Sequence, residues 1–413
     1  MSTIYPFSVI KKYFLGIATV FVISLIYSRF MVSVCMIGFV LLAIYHFLNE
    51  GRVSLSSFFK EKAYVGLLLV FVAVLLSGIN SSDTSQVLLQ LKLKLPFALL
   101  PLAFYILRPI DDKTHQWIHR ALIITMAVST VPILLDVLPK FKENSLSIGQ
   151  GKSFPTPIDH IHYSIILAYA TVSAFILGIE AKAREYKIAL FVAGIYLFGF
   201  AHFLSVRTGL ALAYAGLGIT LIWYIITRKQ YVIGAAIAVS MMALPFIAFH
   251  TVEPFKRKIN YMYWDFAKYK QGKGKSYSDS ERLMSYEIAI DLIKKKPLVG
   301  HGIGDLKPIM IAQHKERFGT KEKYIRPHNQ YLYILTAMGV LGAIVFFGGL
   351  FSPLIFAEQR HIFLIVIFAL MSISFLVENT VQRALITAFF LFFILLNLGK
   401  QSELPSTELE QSS

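Results

Sequence analysis

The sequence predicts an all-α integral membrane protein with about 12 transmembrane helices, and three observations carry that reading. Of the 413 residues, 56% are hydrophobic and only 15% are charged. The apolar residues fall in runs of about 20, the length an α-helix needs to cross the hydrocarbon of a bilayer. The basic residues sort into alternate loops, as they do in multi-pass proteins. The core is therefore a helix bundle in lipid, and no sheet is needed.

Twelve apolar segments lie near 8–28, 31–48, 63–79, 92–107, 117–137, 163–180, 187–204, 207–227, 231–249, 329–356, 362–378 and 384–399. The first two are divided only by Ser28-Arg29-Phe30, a soft boundary. Lys11 and Lys12 precede the first run as in a signal peptide, but no small-residue cleavage site follows, so it reads as an uncleaved helix. The single cysteine, Cys35, lies inside the second segment and gives no intrachain disulfide.

A net charge of +16 would suggest nucleic acid on a soluble chain. Here it is divided by side of the membrane, and no nucleic-acid partner is expected. An even number of spans puts both termini on one side. The short loops of that side carry Lys11, Lys12, Arg52, Lys60, Lys62, Arg108, Lys113, Arg120, Lys182, Arg184, Lys187, Arg228, Lys229, Arg360 and Lys400, which marks it as cytoplasmic.

The organisation follows. Residues 1–249 hold nine spans, with a small outer loop at 138–162 that has loop chemistry throughout. Residues 250–328 form a large outer loop, 329–400 hold the last three spans, and 401–413 are an acidic, polar tail with the composition of disorder. The first half of the large loop interleaves bases with aromatics, including Phe255, Lys256, Arg257, Lys258, Tyr261, Tyr263, Trp264 and Phe266. Aromatic faces stack on sugars, while Trp and Tyr also favour the membrane interface. In the second half, Ser278-Asp279-Ser280-Glu281 has the spacing of a capping box, so a helix starts there. Leu283, Tyr286, Ile290 and Ile293 give it an apolar stripe, and Pro297 ends it before a turn containing Gly300, Gly302 and Gly304.

Chemistry-bearing residues concentrate on the outer side. His328-Asn329, followed by nine residues, Gly339, two residues and Gly342, sets a proton-transfer group at the mouth of a helix whose glycines allow close approach of a neighbouring helix. Arg282 falls in the first turn of the loop helix, where free N–H groups and a guanidinium both favour an anion. Arg207 stands at the outer junction of two spans. An arginine near the bilayer interior costs ~2.5–3.5 kcal/mol even on lenient scales, so it either snorkels to the interface or binds an anion there. Asp159-His160-Ile161-His162 could hold a metal, line a cavity or simply start a wet helix. Lys92 and Lys94 could add to a phosphate funnel or anchor their helix, and Arg326, Glu378 and Arg383 could support the site.

These residues resemble the bacterial O-antigen ligases and the related O-antigen polymerases. That superfamily carries a histidine followed by Asn, Ser or Gln, nine residues, Gly, two residues, and Gly, Thr or Tyr, just after its large periplasmic loop; His328, Asn329, Gly339 and Gly342 meet every term. Arg207 is similar to the family's central-helix arginine, although Ala211 stands where leucine is usual. Arg282, Tyr286, Pro297, Gly300, Gly302 and Gly304 are similar to its loop motif, with tyrosine in place of a common tryptophan. The specific motifs cover 205–342 only.

The resemblance implies a GT-C-type glycosyltransferase of the bacterial inner membrane, with its active site facing the periplasm. The donor would be a glycan on undecaprenyl pyrophosphate and the acceptor lipid A–core. His328 would act as general base, and Arg207 and Arg282 as catalytic cations holding the pyrophosphate with Lys92 and Lys94. Asn329, Arg326, His160, His162 and Asp159 are secondary candidates. Cations in that role imply no cofactor and no metal, with membrane lipids as the only other partners. A polymerase, or a protein O-oligosaccharyltransferase of the same superfamily, shares this chemistry. A polytopic transporter, from another class, would show internal repeats and mid-membrane charges, whereas the charges here cluster at one face.

Overall fold

The computed structural model describes residues 7–50, 55–108, 110–148, 150–271, 278–319 and 325–400. Arg52, the tail at 401–413 and the side chain of Ser278 lie outside the described residues. No strand occurs among the described residues; one isolated bridge pairs Ile110 with Lys400. The helices are α1 (Phe7–Tyr27), α2 (Arg29–Glu50), the single turn α3 (Leu55–Phe58), α4 (Lys62–Ile79), α5 (Thr84–Leu107), α6 (Asp112–Val137), α7 (Phe141–Ile148), α8 (His160–Glu180), α9 (Arg184–Leu204), α10 (Arg207–Arg228) and α11 (Tyr231–Thr251). After these come α12 (Glu253–Lys270), α13 (Ser278–Lys295), α14 (Leu306–Phe318), α15 (Gln330–Phe356), α16 (Ile362–Phe375) and α17 (Ala384–Leu398).

Ten helices among the described residues are long and apolar enough to cross a membrane, and the fold is all-α and integral to the membrane. All 12 apolar segments are helical, but the last two, α16 and α17, have only 14 and 15 residues. At ~1.5 Å per residue each falls short of the ~30 Å of hydrocarbon. The loop between them tolerates depth because protein buries it: Glu378, Asn379, Thr380, Val381 and Gln382 are all nearly inaccessible. Helix starts precede the apolar windows at α5, α6 and α8, where an aspartate cap decides the boundary. Asp83 accepts from the Gln86 N–H and starts α5 at Thr84 rather than near 92; Asp111 does the same for α6 through Thr114. The outer segment 138–162 is not loop throughout, since a 3₁₀ turn at Leu138–Lys140 runs into α7. Its polar residues masked the helix from a reading based on apolar runs.

α8 is the centre of the bundle, with 89% of its apolar window buried. At the other extreme α11 has only 11% buried, and Val232, Val239, Met242 and Phe246 look outward. The first turns of α8, α10 and α15 and the 376–383 loop share one end of the bundle, beneath α12 and α13. The opposite end ties the chain's beginning and end together: Lys11 meets Asp111 at 2.6 Å and Lys400 meets Asp112 at 3.3 Å.

The glycine motif has a structural cause different from helix–helix approach. α15 breaks at Gly339, whose φ of 64° and ψ of −170° are open to glycine alone. Four backbone groups lose their helical partners there, and the loop after α13 replaces every one. Val340 N–H donates to Pro297 O at 2.8 Å and Leu341 N–H to Leu298 O at 3.1 Å; His301 N–H and Gly302 N–H donate to Thr336 O and Ala337 O at 3.0 and 2.9 Å. A Cβ on Gly339 would lie 2.3 Å from the Leu298 carbonyl, and one on Gly300 2.6 Å from that of Ala337. The His328 helix and the Pro297–Gly302 loop are thus clipped together backbone to backbone, with no polar group left for lipid.

Candidate functional site

A cavity of about 240 Å³ at the α12–α13 end of the bundle is lined by His160, Arg207, Lys258, Glu281, Arg282 and His328, among others. Residues separated by more than a hundred positions meet there because four helices begin at this face. Arg207 is the first residue of α10, after Ser205 turns the chain out of α9 with a left-handed φ of 56°. Arg282 lies one turn into α13.

Asp279 joins the two arginines: its Oδ1 accepts from Arg207 Nη2 at 2.6 Å and lies 3.5 Å from Arg282 Nη1. Its position is set from α12. The carboxylate of Asp265, wholly buried, accepts from the Asp279 N–H at 2.9 Å and from the Ser280 hydroxyl. Side chains of Arg207 and Arg282 are 25% and 21% exposed, so both keep donors for a ligand in the cavity. Lys258 adds a third cation. Burial, with Arg207 and Arg282 adding repulsion against the pull of Asp279, brings its ammonium down to about 8.

His328 is held by backbone and side chain alike. Its carbonyl accepts from Tyr286 Oη at 2.8 Å, its N–H donates to Ser285 Oγ at 3.4 Å, and its Nδ1 lies 3.3 Å from Glu378 Oε2. The other Glu378 oxygen, Oε1, accepts from the Asn379 N–H at 3.1 Å. Glu378 therefore stays an acceptor. It selects the tautomer with a proton on Nδ1, which leaves Nε2 free to take one. Neighbouring Asn329 fixes the backbone around the histidine. Its Oδ1 caps α15 through the Leu332 N–H at 3.0 Å and its Nδ2 donates to Leu376 O at 3.1 Å.

Other sequence candidates are placed elsewhere. Asp159 caps α8 through the N–H groups of Ile161 and His162 at 3.0 and 3.3 Å; His160 reaches the cavity and His162 does not. Lys92 is exposed and outside the cavity. Lys94 is fully buried, and its ammonium donates to Val381 O at 2.6 Å and to Gln382 Oε1 at 3.3 Å. It braces the loop that carries Glu378, aided by Gln330 Oε1, which accepts from Val381 N–H at 3.1 Å. Arg326 is half-buried and does not line the cavity. Lys258 was visible in the sequence only as one base in an aromatic-rich stretch, and Glu378 only as a residue that could support the site, without its link to His328.

Residues 192–347 match the model of a family described as O-antigen ligase. The matched span runs from α9 into α15 and holds Arg207, Lys258, Arg282 and His328. No curated protein matches the chain.

Proposed function

For this multi-pass membrane protein of the O-antigen ligase superfamily, we propose metal-independent, inverting transfer of a glycan from undecaprenyl pyrophosphate to the lipid A–core of lipopolysaccharide, on a GT-C-type scaffold. The acceptor hydroxyl oxygen bonds to the anomeric carbon as the bond from that carbon to the pyrophosphate oxygen breaks. His328 Nε2 takes the hydroxyl proton. The charge left on undecaprenyl pyrophosphate falls against Arg207, Arg282 and Lys258, preorganised cations in a partly dry cavity. The observation that carries this reading is the placement of His328, backed by Glu378, in one cavity with the arginine pair on Asp279.

The membrane is the bacterial inner membrane, with the cavity on the periplasmic side and both termini cytoplasmic. Support comes from the short-loop basic residues: Lys11, Lys62, Arg108, Lys182, Lys187, Arg228, Arg360 and Lys400 all lie at the end opposite the cavity.

The test uses purified protein with an undecaprenyl-pyrophosphate glycan, lipid A–core and a chelator, products being followed on a gel. Glycan appearing on lipid A–core, unaffected by chelator, supports the ligase. Donor glycans that lengthen instead make it a polymerase, and transfer to neither, with intact donor, overturns the reading.

Two further outcomes are expected. Arg282→Lys loses roughly ten- to a hundredfold in kcat/KM, because a point charge cannot replace a fork shared between Asp279 and the donor. Lys258 is charged below about pH 8 and neutral above it. Transfer measured as kcat/KM therefore declines as pH rises past about 8, and Lys258→Arg holds the alkaline limb level.

A further inference from the structure

A cavity larger than the candidate site lies elsewhere in the bundle. It measures about 1320 Å³ and lies between α9 and α11, with α10 behind and the end of α8 at its rim. Phe191, Ile195, Leu221, Ile237, Leu244 and Ile247 are typical of its walls. That volume exceeds the ~300–1,000 Å³ of ordinary small-molecule pockets, and apolar walls do not hold water. Hydrocarbon chains suit it.

Charge on the rim is confined to one end. Lys182, Lys187 and Arg228 line the mouth farthest from His328, and all three side chains are exposed and carry no ion pair or hydrogen bond among the described residues. The one carboxylate at that mouth, Glu180, lies 3.4 Å from His361 Nε2. The other end, near the candidate site, offers His202, Thr251 and Val252 and no lysine or arginine. The His202 ring there bonds Tyr214 Oη at 2.8 Å. A lipid whose anionic group belongs at the Arg207 end would find no cation to meet it inside this groove.

We propose that the α9–α11 groove binds an anionic, two-chain phospholipid from the leaflet opposite the candidate site, its phosphate on Lys182, Lys187 and Arg228 and its chains along α10. The lipid would supply packing that α11 lacks. α11 leads directly into α12, which holds Lys258 and Asp265, so the lipid steadies the scaffold of the site from the far side of the membrane.

Binding is read directly, by native mass spectrometry of delipidated protein titrated with dioleoyl phosphatidylglycerol or with dioleoyl phosphatidylcholine; the result is independent of any transferase activity. Phosphatidylglycerol should bind preferentially, and the triple variant Lys182→Ala, Lys187→Ala, Arg228→Ala should lose roughly a hundredfold in its affinity. Gly199 lines the groove with open space where a side chain would go. Gly199→Phe should therefore block binding while the three cations remain. Equal affinity for both lipids, unchanged binding in the triple variant, or unchanged binding in Gly199→Phe would each overturn the proposal. So would displacement of phosphatidylglycerol by undecaprenyl pyrophosphate, which would give the groove to the donor.

Discussion

His328→Ala is expected to remove glycan transfer while leaving a folded protein. Loss of a general base costs ~10²–10⁴-fold, and His328 is the cavity residue whose ring a carboxylate, Glu378, orients. The fold survives because the backbone bonds of residue 328 to Ser285 Oγ and Tyr286 Oη remain, its side chain is 28% exposed, and Glu378, which loses the ring, keeps the Asn379 N–H. The same variant should bind undecaprenyl pyrophosphate as before, since Arg207, Lys258 and Arg282 are untouched. Single-turnover transfer with donor and acceptor, alongside donor binding by calorimetry, separates the two effects. Transfer within threefold of the parent would remove His328 from the chemistry. Glu378→Gln provides a companion: the amide keeps the contact with Nδ1 but lets the ring adopt either tautomer, so kcat drops and donor affinity does not.

The parts of this site that were legible in the sequence are those spelled by local spacing. His328, Gly339 and Gly342 form a pattern along one segment, and Arg282 follows a helix start written in the adjoining residues. Arg207 stood out because an arginine at a membrane junction is costly. Glu378 was legible only as possible support for the site, with no partner named, because it reaches His328 from a different hairpin, 50 residues on. Nothing in a buried turn between two apolar runs distinguishes a carboxylate that orients an imidazole from one that faces water. Lys94, which the sequence offers as a phosphate cation or a helix anchor, shows the converse. A lysine near a helix end reads as a surface cation, whereas tertiary packing turns it inward onto Val381 and Gln382. In the fold, apolar run length gave the helices but not their ends, where Asp83, Asp111 and Asp159 set the boundaries through side-chain bonds to backbone N–H groups.

Gly339→Ala is expected to destabilise the fold strongly. The new Cβ would sit 2.3 Å from the Leu298 carbonyl and 2.5 Å from the Val299 nitrogen, both backbone atoms that cannot swing aside. The φ of 64° with ψ near −170° is also closed to alanine. Regularising α15 would relieve both problems but would reclaim Thr336 O and Ala337 O for the helix, stranding His301 N–H, Gly302 N–H and the carbonyls of Pro297 and Leu298. Backbone strain of ~1–3 kcal/mol, with two or more bonds at about 1 kcal/mol each, gives a loss of roughly 3–5 kcal/mol. Gly348→Ala is the control, since nothing lies within 4 Å of its added Cβ and it occupies regular helix. Thermal unfolding in detergent, followed by size-exclusion fluorescence, should show Gly339→Ala aggregated or strongly destabilised and Gly348→Ala at or slightly above the parent. If Gly339→Ala were as stable as the parent, the break in α15 would not be the joint that holds His328 against α13.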